Sequence, residues 1–368
     1  MAATIISPAI PTIEKILHPG GEISLTVTLI LTITSLMMAI GSPIAGYLVD
    51  RVGRKMLLLW SLILYALAGS AGFYLETAEQ ILFSRMALGL AVAGVMTSST
   101  TLIADYLVGE EREKFLGYQM SFMAIGGFVF LITGGLLATW WWRAPFLVYL
   151  SSLILVIPVL LFISEPEITE KKVEEDGARI PCLTYIGIIL TAMSGMMLYF
   201  LLPTRIPFFL EDLFDLPPSQ SGFFMATSAL AASLMASRYH WFHHYLTKPQ
   251  IYALSFLVMG LGLVLIAHFE YIIYVYTAIA ITGIGFGLLI PNSTVWVSQI
   301  APPRYRGRLV GGLASALFFG QFLSTLFGEP IFRFNGLEGT FGVFGIGGFL
   351  SLVIGALYLI NNTRRNHA

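Results

Sequence analysis

Eleven stretches of this chain are apolar over roughly the 20 residues that a helix needs to cross the hydrocarbon core of a bilayer. They are 25–49, 56–75, 80–104, 115–138, 144–163, 181–203, 219–237, 250–267, 271–299, 308–328 and 340–360. Backbone immersed in lipid finds no water for its N–H and C=O groups, so each stretch has to close its own hydrogen bonds as a helix. The pattern therefore predicts an all-α polytopic membrane protein with lipid bilayer around most of its surface. Composition excludes the soluble alternative. Of 368 residues, 57% are hydrophobic and only 11% charged, whereas an average soluble domain carries about 25% charged residues. A net charge of −1 leaves no electrostatic footprint for nucleic acid, and none is expected as a partner.

Ahead of the first full span lies Met1–Ile13, MAATIISPAIPTI. It is apolar, but its 13 residues cover only about 20 Å as a helix, against a core of about 30 Å. It reads as the outer half of a truncated first helix, which makes twelve spans in the complete design. Lys and Arg set the orientation. Fifteen of the 20 fall in one set of alternate loops and four in the other, Lys15, Arg143, Arg205 and Arg333, while Arg85 lies inside a span. Both termini are accordingly predicted to be cytoplasmic, in a plasma (inner) membrane. The charged run Ser164–Arg179 divides the spans evenly and reads as a solvated linker. The expected organisation is a six-helix bundle over 1–163 with an incomplete first helix, a cytoplasmic linker over 164–180, and a second six-helix bundle over 181–368. A shift of 194 residues superposes Gly89 on Gly283, Arg112 on Arg306, Gly117 on Gly311, Gly126 on Gly320 and Gly134 on Gly328. Duplicated halves of this kind are one architecture of secondary transporters.

Between the spans at 25–49 and 56–75 the chain reads Gly46-Tyr-Leu-Val-Asp50-Arg51-Val-Gly53-Arg54-Lys55. A two-helix hairpin must turn here within a few residues. Gly53 supplies a permissive backbone, Gly46 would allow close helix approach, and Asp50 stands beside three cations with which it can pair. A generic basic turn explains the cations but not Gly, Asp, Arg, Gly and Arg in this register. The stretch resembles the signature loop of the major facilitator superfamily, G-x-x-x-D-R-x-G-R-[RK], at every defined position. The resemblance covers essentially the whole chain. It implies the major facilitator fold, two six-helix bundles around a cavity that opens alternately to either side. It also implies that Gly46, Asp50, Arg51, Gly53, Arg54 and Lys55 form a conformational latch. In that latch Asp50 caps the start of span 11, and Arg54 pairs with an acid at the end of span 4, where Asp105 stands.

A second element, Leu82-Phe-Ser-Arg85-Met-Ala-Leu-Gly89, resembles the family's L-x-x-R-x-x-Q-G, with Leu88 in place of Gln. Arginine inside a span is costly and functional by default, and the resemblance links Arg85 to proton transfer. The alternative is that it snorkels to the nearby boundary. The family's antiporters often carry G-x-x-x-G-P-x-x-G-G in span 5. Here Gly126, Gly134 and Gly135 remain, but Phe130 and Leu131 replace the central Gly and Pro, which weakens the drug/proton antiporter assignment. His240, His243 and His244 cluster in the loop Ser237–Gln250. They lack the further ligands a metal site needs, so the segment reads as a wet cytoplasmic loop and no metal is expected. The lone Cys182 excludes an internal disulfide.

Polar side chains at mid-span depth are the candidates for lining a substrate cavity: Tyr118, Gln119, Tyr199, Asn292 and Gln321. Hydrogen bonding between helices is the alternative for each. Proton coupling would need a buried carboxylate. Asp105 and Glu329 fall at span ends, and Glu211, Asp212 and Asp215 follow Arg205 in an outer loop, so no coupling residue is singled out. No phosphate-cradling loop, H-E-x-x-H or G-x-S-x-G occurs, so neither an enzyme nor a cofactor is expected. The expected function is secondary active transport of a small-molecule substrate by alternating access, as proton-coupled export of amphipathic or drug-like compounds. The alternatives are an importer or facilitator of a polar metabolite, or a non-transporting sensor on a transporter scaffold.

Overall fold

The computed structural model describes residues 4–17, 25–166, 181–268, 271–302 and 305–366. The expected linker falls outside them from residue 167 on, as do Lys171, Lys172, Arg179 and Arg304. Every regular element among the described residues is helical. In chain order these are α1 (Ile10–Leu17), α2 (Leu25–Val52), α3 (Arg54–Ser70), α4 (Ala78–Tyr106), α5 (Gly109–Trp140), α6 (Ala144–Leu147) and α7 (Ser152–Phe162). They continue as α8 (Cys182–Tyr199), α9 (Leu201–Phe214), α10 (Pro218–Ser237), α11 (Tyr239–Tyr245), α12 (Lys248–His268), α13 (Ile272–Ile300) and α14 (Arg306–Asn366). Two compact units result, Met1–Glu175 and Asp176–Ala368.

Ten helical segments among the described residues are long and apolar enough to cross a membrane, against eleven expected. The difference is α10. It is a full helix of 20 residues, but Ser219, Gln220, Ser221, Thr227, Ser228, Ser233 and Ser237 dilute its hydropathy. Its small residues serve packing instead. A Cβ on Gly287 of α13 would run into the carbonyl of Ala232 on α10, so the two backbones touch where both side chains are small.

The segment read as half of a first span is a 3₁₀ turn at Ser7–Ala9 followed by α1. Ile5, Ile6, Ala9, Ile10 and Ile13 are all at most 3% exposed. A Cβ on Gly134 of α5 would collide with the carbonyl of Ile5. The short segment is thus part of the core of the first unit.

The helix α14 runs for 61 residues and holds the two apolar windows Gly307–Phe332 and Thr340–Ile360. In a straight helix Ile331 and Gly342 would stand about 16 Å apart. A Cβ on Gly342 would nevertheless lie 3.5 Å from the Cγ2 of Ile331, so the run doubles back into two antiparallel limbs. The opposite case is α8–α9. The expected span 181–203 continues as one apolar stretch to Phe214, 33 residues in all, with a break at Phe200.

The internal repeat has a packing counterpart in each unit. A Cβ on Gly89 of α4 would strike the carbonyl of Thr34 on α2, and a Cβ on Gly283 of α13 would strike the carbonyl of Ser228 on α10. Both members of the second pair are displaced from the first by the same 194 residues. Duplicated sequence has preserved not merely a glycine but the backbone that glycine meets.

Candidate functional site

The turn at Gly46–Lys55 is built from four segments of the first unit. α2 ends at Val52, Gly53 adopts φ 95° and ψ 154°, and α3 starts at Arg54. That backbone region is essentially reserved for glycine. The turn sends the side chain of Arg54 inward, where it is 6% exposed. Its Nε donates to Asp105 Oδ2 at 2.9 Å, its Nη1 donates to the Val49 carbonyl at 3.3 Å, and its Nη2 lies 3.4 Å from Asp50 Oδ1. Arg54 therefore ties α2 and α3 to the end of α4, while the Asp50 carboxylate stays 71% exposed. Arg51 lies over the ring of Tyr47 at 4.5 Å. The close helix approach expected at Gly46 is not there, since a Cβ at that position would meet nothing within 4 Å.

One participant had no place in the sequence reading. Glu165, at the edge of the charged run, accepts the N–H of Arg54 at 2.5 Å and that of Lys55 at 2.9 Å. A carboxylate here satisfies two of the four N–H groups that a helix start leaves open and complements its positive end. Lys55 Nζ donates to the Leu160 carbonyl at 3.0 Å, and the hydroxyl of Tyr106 donates to the Ser164 carbonyl. The end of α7 is thereby fastened to the same turn. A Glu in a run of charges carries no mark that separates a cap from a solvated side chain.

Arg85 is 1% exposed, so it does not snorkel out. Its Nη2 donates to the carbonyls of Ala68 and Gly69 at 3.1 and 2.5 Å, near the end of α3. The guanidinium carbon lies 5.0 Å from the ring centroids of both Phe146 and Tyr149, with Tyr65 tilted against Tyr149 at 5.5 Å. Backbone carbonyls and π faces are what a charge held within a bundle can use in place of water.

The second unit holds a buried ion pair. Arg205 of α9 and Glu329 of α14, 0% and 3% exposed, meet with Nη2 donating to Oε2 at 2.6 Å. The sequence places Arg205 at the outer end of one span, ahead of an outer loop, and Glu329 at the outer end of another. Continuation of the helical stretch to Phe214 puts Arg205 inside the protein instead, and all ten of residues 201–210 are buried.

The five cavity candidates divide between the two units. Tyr118 is exposed beside Phe115, and Gln119 Nε2 donates to Thr100 Oγ1 at 3.3 Å; both belong to the first unit. In the second, Tyr199 stacks on Phe286 at 3.7 Å and 5°, its hydroxyl 3.3 Å from Ser228 Oγ. Gln321 stands near Ser324, whose hydroxyl donates to the Gln321 carbonyl at 2.6 Å. Asn292 is fully buried, and its amide is used at both ends: Nδ2 donates to the Lys248 carbonyl at 3.0 Å and Oδ1 accepts from Tyr239 at 3.1 Å. Burial pushes the Tyr239 phenol up to about 12, so it remains a donor. That joint pins the Tyr239–Lys248 turn to α13. His243 of the histidine cluster stacks on Tyr239, and among the described residues no group of three or more His, Cys, Asp or Glu could hold a metal ion.

Comparison with known proteins agrees with this architecture. The family model described as Major Facilitator Superfamily matches residues 1–245 and again 240–368. The chain is similar to the bacillibactin exporter of Bacillus subtilis (strain 168), at 25% identity over 97% of this chain and 91% of that protein. It is also similar to multidrug resistance protein 1 of the same organism, at 31% identity over 48% of this chain. That second match spans only 44% of the relative's length. Among solved structures, a bacterial homologue of the human lysosomal transporter Spinster, inward-facing and occupied, superposes with a TM-score of 0.77 at 17% identity, covering 99% of this chain and 93% of that one. A D-xylose–proton symporter does so with a TM-score of 0.75 at 14% identity, covering 96% and 93%.

Proposed function

Because the chain belongs to the major facilitator superfamily, we propose that it exports amphipathic or drug-like compounds in exchange for protons. Membership itself makes it a multi-pass integral membrane protein, a secondary transporter of a small-molecule substrate and not an enzyme. The finer reading rests on similarity along nearly the full chain to an exporter of bacillibactin, supported by similarity over half of it to a multidrug resistance protein. We read the units as two bundles joined by a cytoplasmic linker over 164–180, with both termini cytoplasmic in the plasma membrane.

In this reading Arg54, Asp105 and Glu165 hold the turn as one node, and the Asp50 carboxylate, exposed beside Arg54, engages a second element when the transporter changes state. Gly53, Arg51 and Lys55 complete that latch, and Arg85 takes part in proton transfer. Tyr118, Gln119, Tyr199 and Gln321 contact substrate. Asn292, whose amide groups are already satisfied, does not. A second reading, import or facilitated passage of a polar metabolite, draws support from Phe130 and Leu131, which stand where drug/proton antiporters of the family carry Gly and Pro.

Proteoliposomes holding the full chain under an imposed pH gradient test the choice. The first reading expects gradient-driven movement of an amphipathic dye, impaired in Asp50→Asn while the protein stays folded. Counterflow of a labelled sugar, organic acid or amino acid without a gradient, and no pH-dependent dye movement, would establish the second reading in its place.

A further inference from the structure

The turn that joins α11 to α12 is the counterpart, in the second unit, of Gly46–Lys55. A shift of 194 residues carries both ends of α4, Ala78 and Tyr106, onto both ends of α13, Ile272 and Ile300. It carries Arg54, the first residue of α3, onto Lys248, the first residue of α12, and Asp105 onto Gln299. The contact between them is kept. Where Arg54 donates to Asp105, Lys248 Nζ donates to Gln299 Oε1. The acids are not kept: Gln299 stands for Asp105, and His244 for Asp50. We propose that this second turn is a binding site for the phosphate of an anionic phospholipid, with Lys248 at its centre and Arg238, His240 and His244 as further donors. The inference goes beyond the transport reading and does not depend on which solute is carried.

Charge comes first. In the first unit the cations of the turn meet carboxylates, Arg54 at Asp50 and Asp105, and the N–H of Lys55 at Glu165. Lys248 meets the Gln299 amide oxygen, and its Nζ lies 5.9 Å from the ring centroid of Trp296. Neither partner carries a negative charge. The stretch Arg238–Lys248 holds Arg238, Lys248 and three histidines and no acid. Between Asp215 and Glu329 the sequence has a single acid, Glu270, which follows the far end of α12. That helix is 21 residues long, about 30 Å, so its two ends belong to opposite membrane boundaries.

Position makes the missing anion a lipid headgroup. Lys248 opens one membrane-crossing segment, and Gln299 lies one residue before the end of another, so their bond stands at a bilayer surface. On α11, His240, Trp241, His244 and Tyr245 are exposed and share one helical face. Tyr239, Phe242 and Leu246 turn inward, onto Ile251 and Leu288. Trp241 and Tyr245 are 60% and 67% exposed, and their rings meet at 5.4 Å. Indole and phenol rings settle at headgroup level, where one part of the ring is apolar and the other is wet. A basic pocket between helices at that depth, beside two anchoring rings, fits a phosphate that brings acyl chains with it.

The backbone of the site is held in place before any ligand arrives. Asn292 donates to the Lys248 carbonyl and accepts from Tyr239. Gln250 Oε1 accepts the N–H and the hydroxyl of Thr247 at 2.8 and 3.0 Å. A site fixed in this way loses little further freedom on binding. Basic loops that orient the chain in the membrane would account for cations anywhere in this turn. They would not account for a duplicated contact that keeps its cation and exchanges its carboxylate for an amide, nor for two exposed aromatic rings beside it.

The test uses the full chain in detergent, supplied with phosphatidylglycerol and phosphatidylcholine of the same acyl chains, and native mass spectrometry of the lipid that stays bound. Wild type is expected to retain phosphatidylglycerol in preference to phosphatidylcholine. Lys248→Gln should lower phosphatidylglycerol occupancy about fivefold, the effect of one basic side chain at an anionic surface, and Lys248→Arg should keep it. Lys114→Gln is the control. Lys114 also lies 5.9 Å from a ring centroid, that of Tyr118, but its neighbours in the sequence include Glu110, Glu111 and Glu113, so its loss should leave occupancy unchanged. Should Lys248→Gln not fold, Arg238→Gln with His244→Gln removes two exposed donors, with the same expectation. Equal retention of the two lipids, unchanged occupancy in Lys248→Gln, or an equal loss in Lys114→Gln overturns the site. Inorganic phosphate that displaces phosphatidylglycerol at equal concentration overturns its assignment to a lipid.

Discussion

Replacing Gly53 by alanine is the sharpest probe of the turn between α2 and α3. Its φ of 95° with ψ 154° lies where only glycine is at ease, and a side chain there costs about 1–3 kcal/mol. The added Cβ would also come within 2.9 Å of Glu165 Cδ and 3.0 Å of both its oxygens. Glu165 must then leave the N–H groups of Arg54 and Lys55. A lost N-terminal cap costs about 0.5–2 kcal/mol, with the low end fitting an exposed carboxylate. Gly53→Ala should therefore destabilise the protein by about 2–3 kcal/mol, and Glu165→Ala by about 0.5–1 kcal/mol. The decisive quantity is their coupling. Once Glu165 is gone the clash is gone and the cap can be lost only once, so the double variant should cost less than the sum by about 0.5–1 kcal/mol. Equilibrium unfolding of the detergent-solubilised protein measures all three. Strict additivity, or a Gly53→Ala protein as stable as wild type, would refute the reasoning.

Three further outcomes are expected. Gly89→Val and Gly283→Val force a side chain against the carbonyls of Thr34 and Ser228, and each should lower stability by about 1–3 kcal/mol in the same unfolding assay, with similar size in both units. Asn292→Ala leaves the Tyr239 hydroxyl without its acceptor and removes the tie to the Lys248 carbonyl; stability should fall by about 1–3 kcal/mol, while the substrate concentration that half-saturates transport stays unchanged. Cys182 is exposed and is the chain's single cysteine, so an impermeant maleimide should label it in inside-out vesicles and not in intact cells. Labelling of intact cells would reverse the proposed orientation.

Legibility differed by type of residue. Helical spans were readable because lipid imposes one demand on a long stretch, and an average over 20 residues survives single exceptions. The one span that diverged, α10, failed that average while keeping its helix, because seven polar residues dilute its hydropathy while Ser228 and Ala232 still pack their backbone against α13. Arg85 was visible as an anomaly, a charge inside an apolar run, yet whether it snorkels depended on carbonyls at Ala68 and Gly69 that no local pattern announces. Glu165 and Glu329 were visible only as members of charged or boundary segments. What distinguished them is a partner more than 100 residues away in the chain.

The sequence by itself determined that this is a polytopic helical membrane protein made of two related halves, with a glycine-bearing charged turn of the major facilitator type. Those properties depend on composition, period and register, which are local or repeat at a fixed offset. Only the tertiary structure decided that Glu165 caps α3, that Asn292 is consumed by a joint, and that Arg205 and Glu329 form a buried pair. Each of these turns on which side chain lies within about 3 Å of another, and that is settled by how helices pack after they form.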